Sequence, residues 1–253
     1  MLRFGFYCLL TLITGNTLAA TMLEIKSDEG LTKVYKDGSR SRMESGDGYM
    51  VIDSKAETLF VVMPNERRAI DMSSALKTPV EGSSKPVSIN FNKKNAGPRI
   101  AGYKTIQYDY ISDGKHCGSL FASADALDDT GLGDTFKMME RMAAKADALM
   151  MAFNSNPDPC ERADNQFARY LKKIGMPMRI QSTNGKLVSE IVRIEKNAKL
   201  PPNAFTVPAG YQVQDAGQLM QQMPNMQEML QQTPQAGQLP PEALERLRRM
   251  QQR

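Results

Sequence analysis

Short apolar segments alternate with glycine-containing turns through the first half of this 253-residue chain, and they restrict it to antiparallel β-structure. Asp37-Gly38 and Asp113-Gly114 are the clearest turn signals, because glycine accepts the positive φ that tight hairpins require. The run Leu59–Met63 is continuously apolar, which is typical of a strand covered on both faces. The sequence therefore predicts a meander of short antiparallel strands that begins at Met22.

Helical periodicity follows these strands. Apolar residues recur at alternating spacings of four and three from Leu132 to Phe153, which places them on one stripe of a helix. A second helix is predicted over Cys160–Ile174, followed by strands at Met178–Ser182 and Leu187–Ile194. The Ser73–Pro98 connection is rich in Ser, Pro, Lys, Gly and Asn and holds one short predicted strand. Runs of strands followed by runs of helices predict an α+β fold.

The N-terminus has the three parts of a secretory signal peptide. Arg3 supplies the positive charge, Phe4–Ile13 is an apolar run too short for a stable membrane anchor, and small residues follow at the expected cleavage site. Cleavage is expected after Ala19, with Ala20 as the alternative. We therefore expect residues 1–19 to be a signal peptide and the mature chain to be a periplasmic protein.

Two cysteines remain once the signal is removed, since Cys8 lies inside its apolar run. Thiols in an oxidising compartment usually pair, so Cys117 and Cys160 are predicted to form a disulfide. A redox-active pair is the alternative, but such pairs usually lie close together in sequence. The wide spacing favours a structural bridge.

Charge and hydropathy give little indication of a macromolecular partner. The net charge is +4, and the basic residues are mixed with nearly as many acidic ones. A solvated surface therefore fits this charge distribution better than a nucleic-acid-binding face. No segment after the signal approaches the roughly 20 apolar residues of a membrane span, so we predict no transmembrane segment in the mature chain.

The sequence offers no catalytic constellation. Its only histidine, His116, adjoins Cys117 in a predicted strand, where neighbouring side chains point to opposite faces. An activated nucleophile requires a base within reach, and no other candidate base of this kind is evident. We therefore predict no enzyme, no cofactor and no metal site in the folded domain.

Composition changes sharply after the predicted strands. Gln, Met and Pro dominate residues 214–253, which are predicted to form a flexible tail that ends in a short basic helix. Met220, Met223, Met226 and Met229 are spaced every third residue. Thioethers are soft ligands that suit Cu(I), so a copper-binding tail is an alternative function, and simple tolerance of methionine in such a tail is the other interpretation.

Four segments, in this order, resemble periplasmic proteins with the fold of the lipoprotein carriers LolA and LolB. They are Val34–Met43, Met50–Met72, Ala101–Cys117 and Phe205–Tyr211. The chain is similar in particular to a methionine-rich bacterial family classed as a domain of unknown function. The resemblance implies a strongly curved antiparallel sheet over residues 20–213, an incomplete β-barrel covered by two or three helices. It also implies an apolar cavity between sheet and helices, which in the carriers holds acyl chains.

The combined hypothesis is a non-enzymatic binding or carrier-like module for a hydrophobic ligand or for an envelope protein or lipoprotein partner. A structural or envelope-stress interaction protein is the remaining alternative. Each candidate lining residue of the cavity has an alternative role as ordinary core. The candidates are Phe60, Val62, Ile106, Tyr108, Phe136 and Met150.

Overall fold

The computed structural model describes residues 20–77, 88–153, 158–164 and 166–221, with side chains excluded for the last part of the long helix. Within these residues the protein is α+β, with one large sheet and few helices. The strands are β1 (Thr21–Ser27), β2 (Gly30–Asp37), β3 (Arg40–Ser45), β4 (Gly48–Asp53), β5 (Thr58–Met63), β6 (Arg68–Asp71), β7 (Ile89–Ala96), β8 (Ile106–Ser112), β9 (Lys115–Ser123), β10 (Met176–Gln181), β11 (Leu187–Lys196) and β12 (Gln212–Asp215). The helices are α1 (Ser73–Lys77), α2 (Ala124–Thr130), α3 (Gly133–Phe153), α4 (Pro159–Asp164), α5 (Leu171–Ile174) and α6 (Ala216–Gln221), with 3₁₀ turns at Pro64–Glu66 and Phe167–Tyr170.

The twelve strands form one sheet in the order β12-β6-β5-β4-β3-β2-β1-β11-β10-β9-β8-β7. All neighbours are antiparallel except β12 and β6, which are parallel. The first strand therefore lies in the middle of the sheet, where it joins the β2–β6 meander to the β11–β7 half. The sheet is not closed, and β12 and β7 are its edges.

The predicted hairpin at Asp113-Gly114 is confirmed. Both residues have positive φ, 46° and 82°, as a two-residue turn matching the right-handed strand twist requires. Glycine adopts this conformation without strain, and aspartate tolerates it better than most residues. The turn joins β8 to β9 and sets their register.

Both faces of β5 are covered, as its continuous apolar sequence predicts. Leu59 and Val61 pack with α3 residues on one face, which we call the inner face. Phe60 and Val62 project to the opposite, outer face because strand side chains alternate. There they meet the segment around Phe205, which contains no regular element and lies against the sheet.

The predicted helix over Cys160–Ile174 is instead three short pieces, α4, a 3₁₀ turn and α5. In a 3₁₀ turn, side chains three residues apart point the same way. Phe167 and Tyr170 consequently both contact the ring of Phe91, with centroid distances of 5.9 and 5.1 Å. The 3₁₀ turn, in place of a continuous α-helix, thus allows both rings to pack on Phe91 of β7.

The predicted domain boundary at residue 213 falls inside β12. Ordered structure continues through α6, and Asp215 accepts hydrogen bonds there from the Ser74 hydroxyl and from the backbone N–H of Gln218. The polar sequence of β12 has no apolar alternation, so its role as an edge strand beside β6 has no sequence signal. The predicted signal peptide and the remainder of the predicted tail lie outside the described residues.

The predicted disulfide is present. The sulfur atoms of Cys117 and Cys160 lie 2.01 Å apart and connect β9 to α4. No helix in the described part of the chain has the length and apolar character that crossing a membrane requires.

Candidate functional site

A partly open cavity of about 280 Å³ lies between the inner face of the sheet and the helices. Its walls are mostly apolar. The cavity has three walls. The first half of α3 forms one, the strands β1, β11 and β10 form the floor, and the end of α4, the 3₁₀ turn and the start of α5 form the third. The lining residues are Ile25, Phe136, Met139, Glu140, Ala143, Asp164, Phe167, Ala168, Leu171, Pro177, Met178, Ile180, Ser189 and Ile191.

The helical wall comes from one stripe of α3. Phe136, Met139 and Ala143 are separated by three and four residues, so they share one face of the helix. The start of this helix is fixed by a buried hydrogen bond of 2.7 Å between the hydroxyls of Thr135 and Ser41 on β3. Because both hydroxyls are buried, each satisfies the other, and the pair holds α3 at a defined place over the sheet.

The floor of the cavity consists of strand side chains from the middle of the sheet. Ile25 on β1 pairs in register with Ile191 on β11, and both reach the cavity. Met178 and Ile180 are two residues apart on β10 and therefore share its inner face. Met178 is fully buried and belongs to the same core cluster as Ile191.

The third wall carries Phe167 and Leu171, both buried. Phe167 stacks edge-to-face on Tyr110, with ring centroids 5.1 Å apart, and so ties this wall to β8. The Cys117–Cys160 bridge ties the preceding α4 to β9. A covalent bond and an aromatic cluster thus hold the wall opposite α3.

Two carboxylates interrupt the apolar lining. Glu140 on α3 pairs with Arg169 of the opposite wall, so its charge is neutralised. Asp164 ends α4, and its Oδ1 accepts a hydrogen bond of 3.1 Å from the Tyr110 hydroxyl.

The environment of Asp164 disfavours its ionised form. Surrounding protein removes water from the carboxylate and raises the pKa to about 6, and the negative charges of Asp158 and Glu161 act in the same direction. The hydrogen bond from Tyr110 opposes this shift. The residue as a whole remains exposed, so Asp164 is surrounded by protein yet reachable from the open side of the cavity.

Among the candidates whose side chains the structure describes, Phe136 lies in the wall of this cavity. Ile106 and Tyr108 lie beside it in the aromatic cluster with Phe91 and Phe167, where they form core. Met150 belongs to α3, and its side chain lies outside the described residues.

Phe60 and Val62 lie on the other side of the sheet. Val62 is fully buried in the outer-face cluster with Val207 and Tyr211. Phe60 borders a separate surface pocket with Phe205 and therefore does not share a site with Phe136.

Sequence reasoning missed most of the wall opposite α3. Phe167 and Leu171 carry a usable signal, since they are apolar residues four positions apart on a predicted helix. Met178 and Ile180 alternate along a predicted strand, which is also a usable signal. Asp164 carried none, because a charged residue in a predicted helix ordinarily faces solvent.

The residues weighed for other chemistry do not converge here. His116 is exposed on β9. The described residues contain no group of three His, Cys, Asp or Glu side chains arranged to hold a metal ion. Met223, Met226 and Met229 lie outside the described residues, as does the side chain of Met220.

Comparison with known proteins gives no relative from which to transfer a function. The chain matches no protein-family model and no curated protein. The geometry of the cavity is therefore the basis for a functional proposal.

Proposed function

We propose that this protein is a non-enzymatic periplasmic binding or carrier-like protein whose cavity holds one apolar chain of a hydrophobic ligand or of a lipid-bearing partner. The observation that carries the proposal is the cavity itself. Apolar side chains in the wall of a partly open cavity face water, which is unfavourable. A bound hydrocarbon chain covers them, and each methylene of that chain removed from water stabilises the complex by about 0.8 kcal/mol.

The size of the cavity limits its occupant. Its volume of about 280 Å³ lies just below the roughly 300–1,000 Å³ that is typical of ligand pockets. A single alkyl chain suits such a space better than a lipid with several chains. The open side leaves room for a headgroup or a partner protein outside the cavity.

One feature supports work in an oxidising compartment outside the cytoplasm, and another bears on the expected cleavage position. The Cys117–Cys160 bridge is of the kind that persists in such compartments. Ala20 is buried, and its carbonyl accepts a hydrogen bond of 2.9 Å from the Ala198 N–H. Cleavage after Ala19 leaves this packed residue in place, whereas cleavage after Ala20 removes it. The LolA-like resemblance is part of the same proposal, since an open sheet with helices over an apolar cavity is the arrangement that it implies.

Native mass spectrometry of the protein purified under mild conditions tests the proposal. We expect a population carrying a bound apolar molecule that organic solvent extracts. Ala143→Phe, which projects a large side chain into the cavity, is expected to lose that population. Ala124→Phe, at an exposed position on α2, is the matched control and is expected to retain it. Wild-type protein that stays free of ligand after incubation with dodecanol contradicts the proposal.

A further inference from the structure

Asp164 differs from every other group on the cavity wall. Among the described residues, it is the lining carboxylate that has no cation in ion-pair contact, whereas Glu140 is paired with Arg169. Its Oδ1 is engaged by the Tyr110 hydroxyl, and its Oδ2 makes no hydrogen bond within the described chain. The mostly apolar lining of the cavity therefore includes one carboxylate whose second oxygen makes no hydrogen bond within the described chain.

In the part of the chain that the structure describes, the charged groups around Asp164 supply no positive charge in ion-pair contact with its carboxylate. Asp158 and Glu161, the acidic neighbours on the same segment, repel its charge. Asp158 is itself paired with Lys115 of β9. Arg169 of the 3₁₀ turn is paired with Glu140, and Lys172 and Lys173 of α5 form no ion pair with Asp164 within the described residues.

We propose that the ligand of this cavity is a single-chain amphiphile with a protonated amine head. The alkyl chain lies against Phe136, Met139 and Leu171, and the ammonium group donates a hydrogen bond to Oδ2 of Asp164. The Tyr110 hydroxyl, by holding Oδ1, orients the carboxylate toward the ligand. This inference rests on the proposed function, because it names the class of ligand for the same cavity.

The alternatives to an amine head are less favourable on physical grounds. A carboxylate or phosphate head brings a second negative charge to a site that already holds one, and like charges destabilise each other strongly in a poorly solvated place. A neutral alcohol removes water from the Asp164 carboxylate without supplying a countercharge in its place. An ammonium group supplies both a charge and a donor, and such charge-assisted hydrogen bonds are about twice as strong as neutral ones.

Isothermal titration calorimetry with three ligands of the same chain length tests this inference. The probes are dodecylamine, dodecanol and dodecanoate at pH 7.5, each below its micelle-forming concentration. We expect dodecylamine to bind about tenfold more tightly than dodecanol, and dodecanoate to bind most weakly. Equal affinity for the amine and the alcohol overturns the amine assignment and leaves the cavity function intact.

The variant Asp164→Asn tests whether the preference for dodecylamine over dodecanol depends on Asp164. The amide oxygen still accepts the Tyr110 hydrogen bond, so dodecanol affinity reports whether the cavity remains formed. We expect dodecanol binding to be retained and the preference for the amine to disappear. Glu161→Gln, at an exposed position on the same helix, removes the same charge and is expected to keep the preference.

The outcomes separate the two proposals. Failure of all three ligands to bind the wild-type protein overturns the proposed function and this inference with it. An amine preference that survives in Asp164→Asn, or that disappears equally in Glu161→Gln, assigns it to general surface charge and overturns the inference alone.

Discussion

The Tyr110 hydroxyl donates a hydrogen bond to Oδ1 of Asp164 across 3.1 Å, joining β8 to the end of α4. Four residues before Asp164, Cys160 is covalently bound to Cys117 on β9. The short helix α4 is therefore attached to neighbouring strands at both ends. These attachments place a carboxylate at the edge of an apolar cavity, where an isolated six-residue helix has no stability of its own.

Ionisation of Asp164 makes folding stability depend on pH. Its pKa is raised from 3.8 to about 6, mainly by desolvation, so the folded state favours the protonated form. This stabilising contribution is complete below about pH 3.8 and is lost as pH rises through about 6. Asp164→Asn cannot ionise at this position. The difference in free energy of unfolding, variant minus wild type, should therefore be larger at pH 7.5 than at pH 4. Urea unfolding across this range checks the difference, and a gap that widens toward pH 4 contradicts the assignment.

Removal of the Tyr110 hydroxyl should raise the pKa of Asp164 further. The hydrogen bond stabilises the carboxylate form and so opposes the upward shift that burial causes. Tyr110→Phe is therefore expected to move the pKa of Asp164 above about 6, as followed by carboxyl ¹³C NMR titration. Tyr108→Phe, in the same aromatic cluster, should leave this pKa unchanged. A pKa that is unchanged or lower in Tyr110→Phe contradicts a stabilising hydrogen bond in solution.

The hydroxyl pair of Ser41 and Thr135 should behave as one unit. Thr135→Val leaves the Ser41 hydroxyl buried without a partner, which costs about 1–3 kcal/mol. Ser41→Ala combined with Thr135→Val removes both polar groups, so the double variant should lose less stability than the sum of the single variants. Chemical unfolding of all four proteins measures this coupling, and strictly additive losses indicate that the hydroxyls do not interact.

Loss of the disulfide should destabilise the fold and disturb the cavity. A bridge with a sequence separation of 43 stabilises by about 4 kcal/mol in the chain-entropy model. Cys117→Ser with Cys160→Ser is expected to lose a comparable amount in urea unfolding, and to bind dodecanol more weakly because α4 is released from β9. Wild-type protein treated with dithiothreitol should reproduce both effects. Unchanged stability and affinity in both samples contradict a structural role for the bridge.

Local sequence signals were sufficient for much of the fold. The Asp113-Gly114 turn, the long helix beginning near Leu132 and the Cys117–Cys160 pair all follow from residue types and spacings that act locally or by elimination. The parallel edge strand β12 could not be predicted in this way, because it pairs with β6, which is far away in sequence. Its four residues have no apolar periodicity to mark them.

The inner and outer faces of the sheet could not be distinguished from sequence. Leu59–Met63 is apolar at every position, so alternation does not identify the residues facing α3. Phe60 and Val62 are among the predicted lining residues, but they lie on the outer face, and Leu59 and Val61 face the helix. The assignment required knowledge that the chain near Phe205 returns to cover the other side.

The carboxylate of the cavity was equally beyond sequence reasoning. Asp164 and Tyr110 are 54 residues apart, and their contact exists only because β8 and α4 pack together. A charged residue in a predicted helix ordinarily faces solvent, so no local pattern distinguished Asp164 from Glu161 on the same helix. Chemistry that depends on non-local packing is therefore visible only in the structure.

Photo-crosslinking with a diazirine-bearing dodecanol, followed by peptide mapping, tests the central claim that the cavity holds an apolar chain. The label is predicted on Phe136–Ala143, on Phe167–Leu171 and on Met178–Ile180, and excess dodecanol should compete it away. Labelling confined to the surface pocket of Phe60 and Phe205, or a labelling level that excess dodecanol does not reduce, would contradict the account.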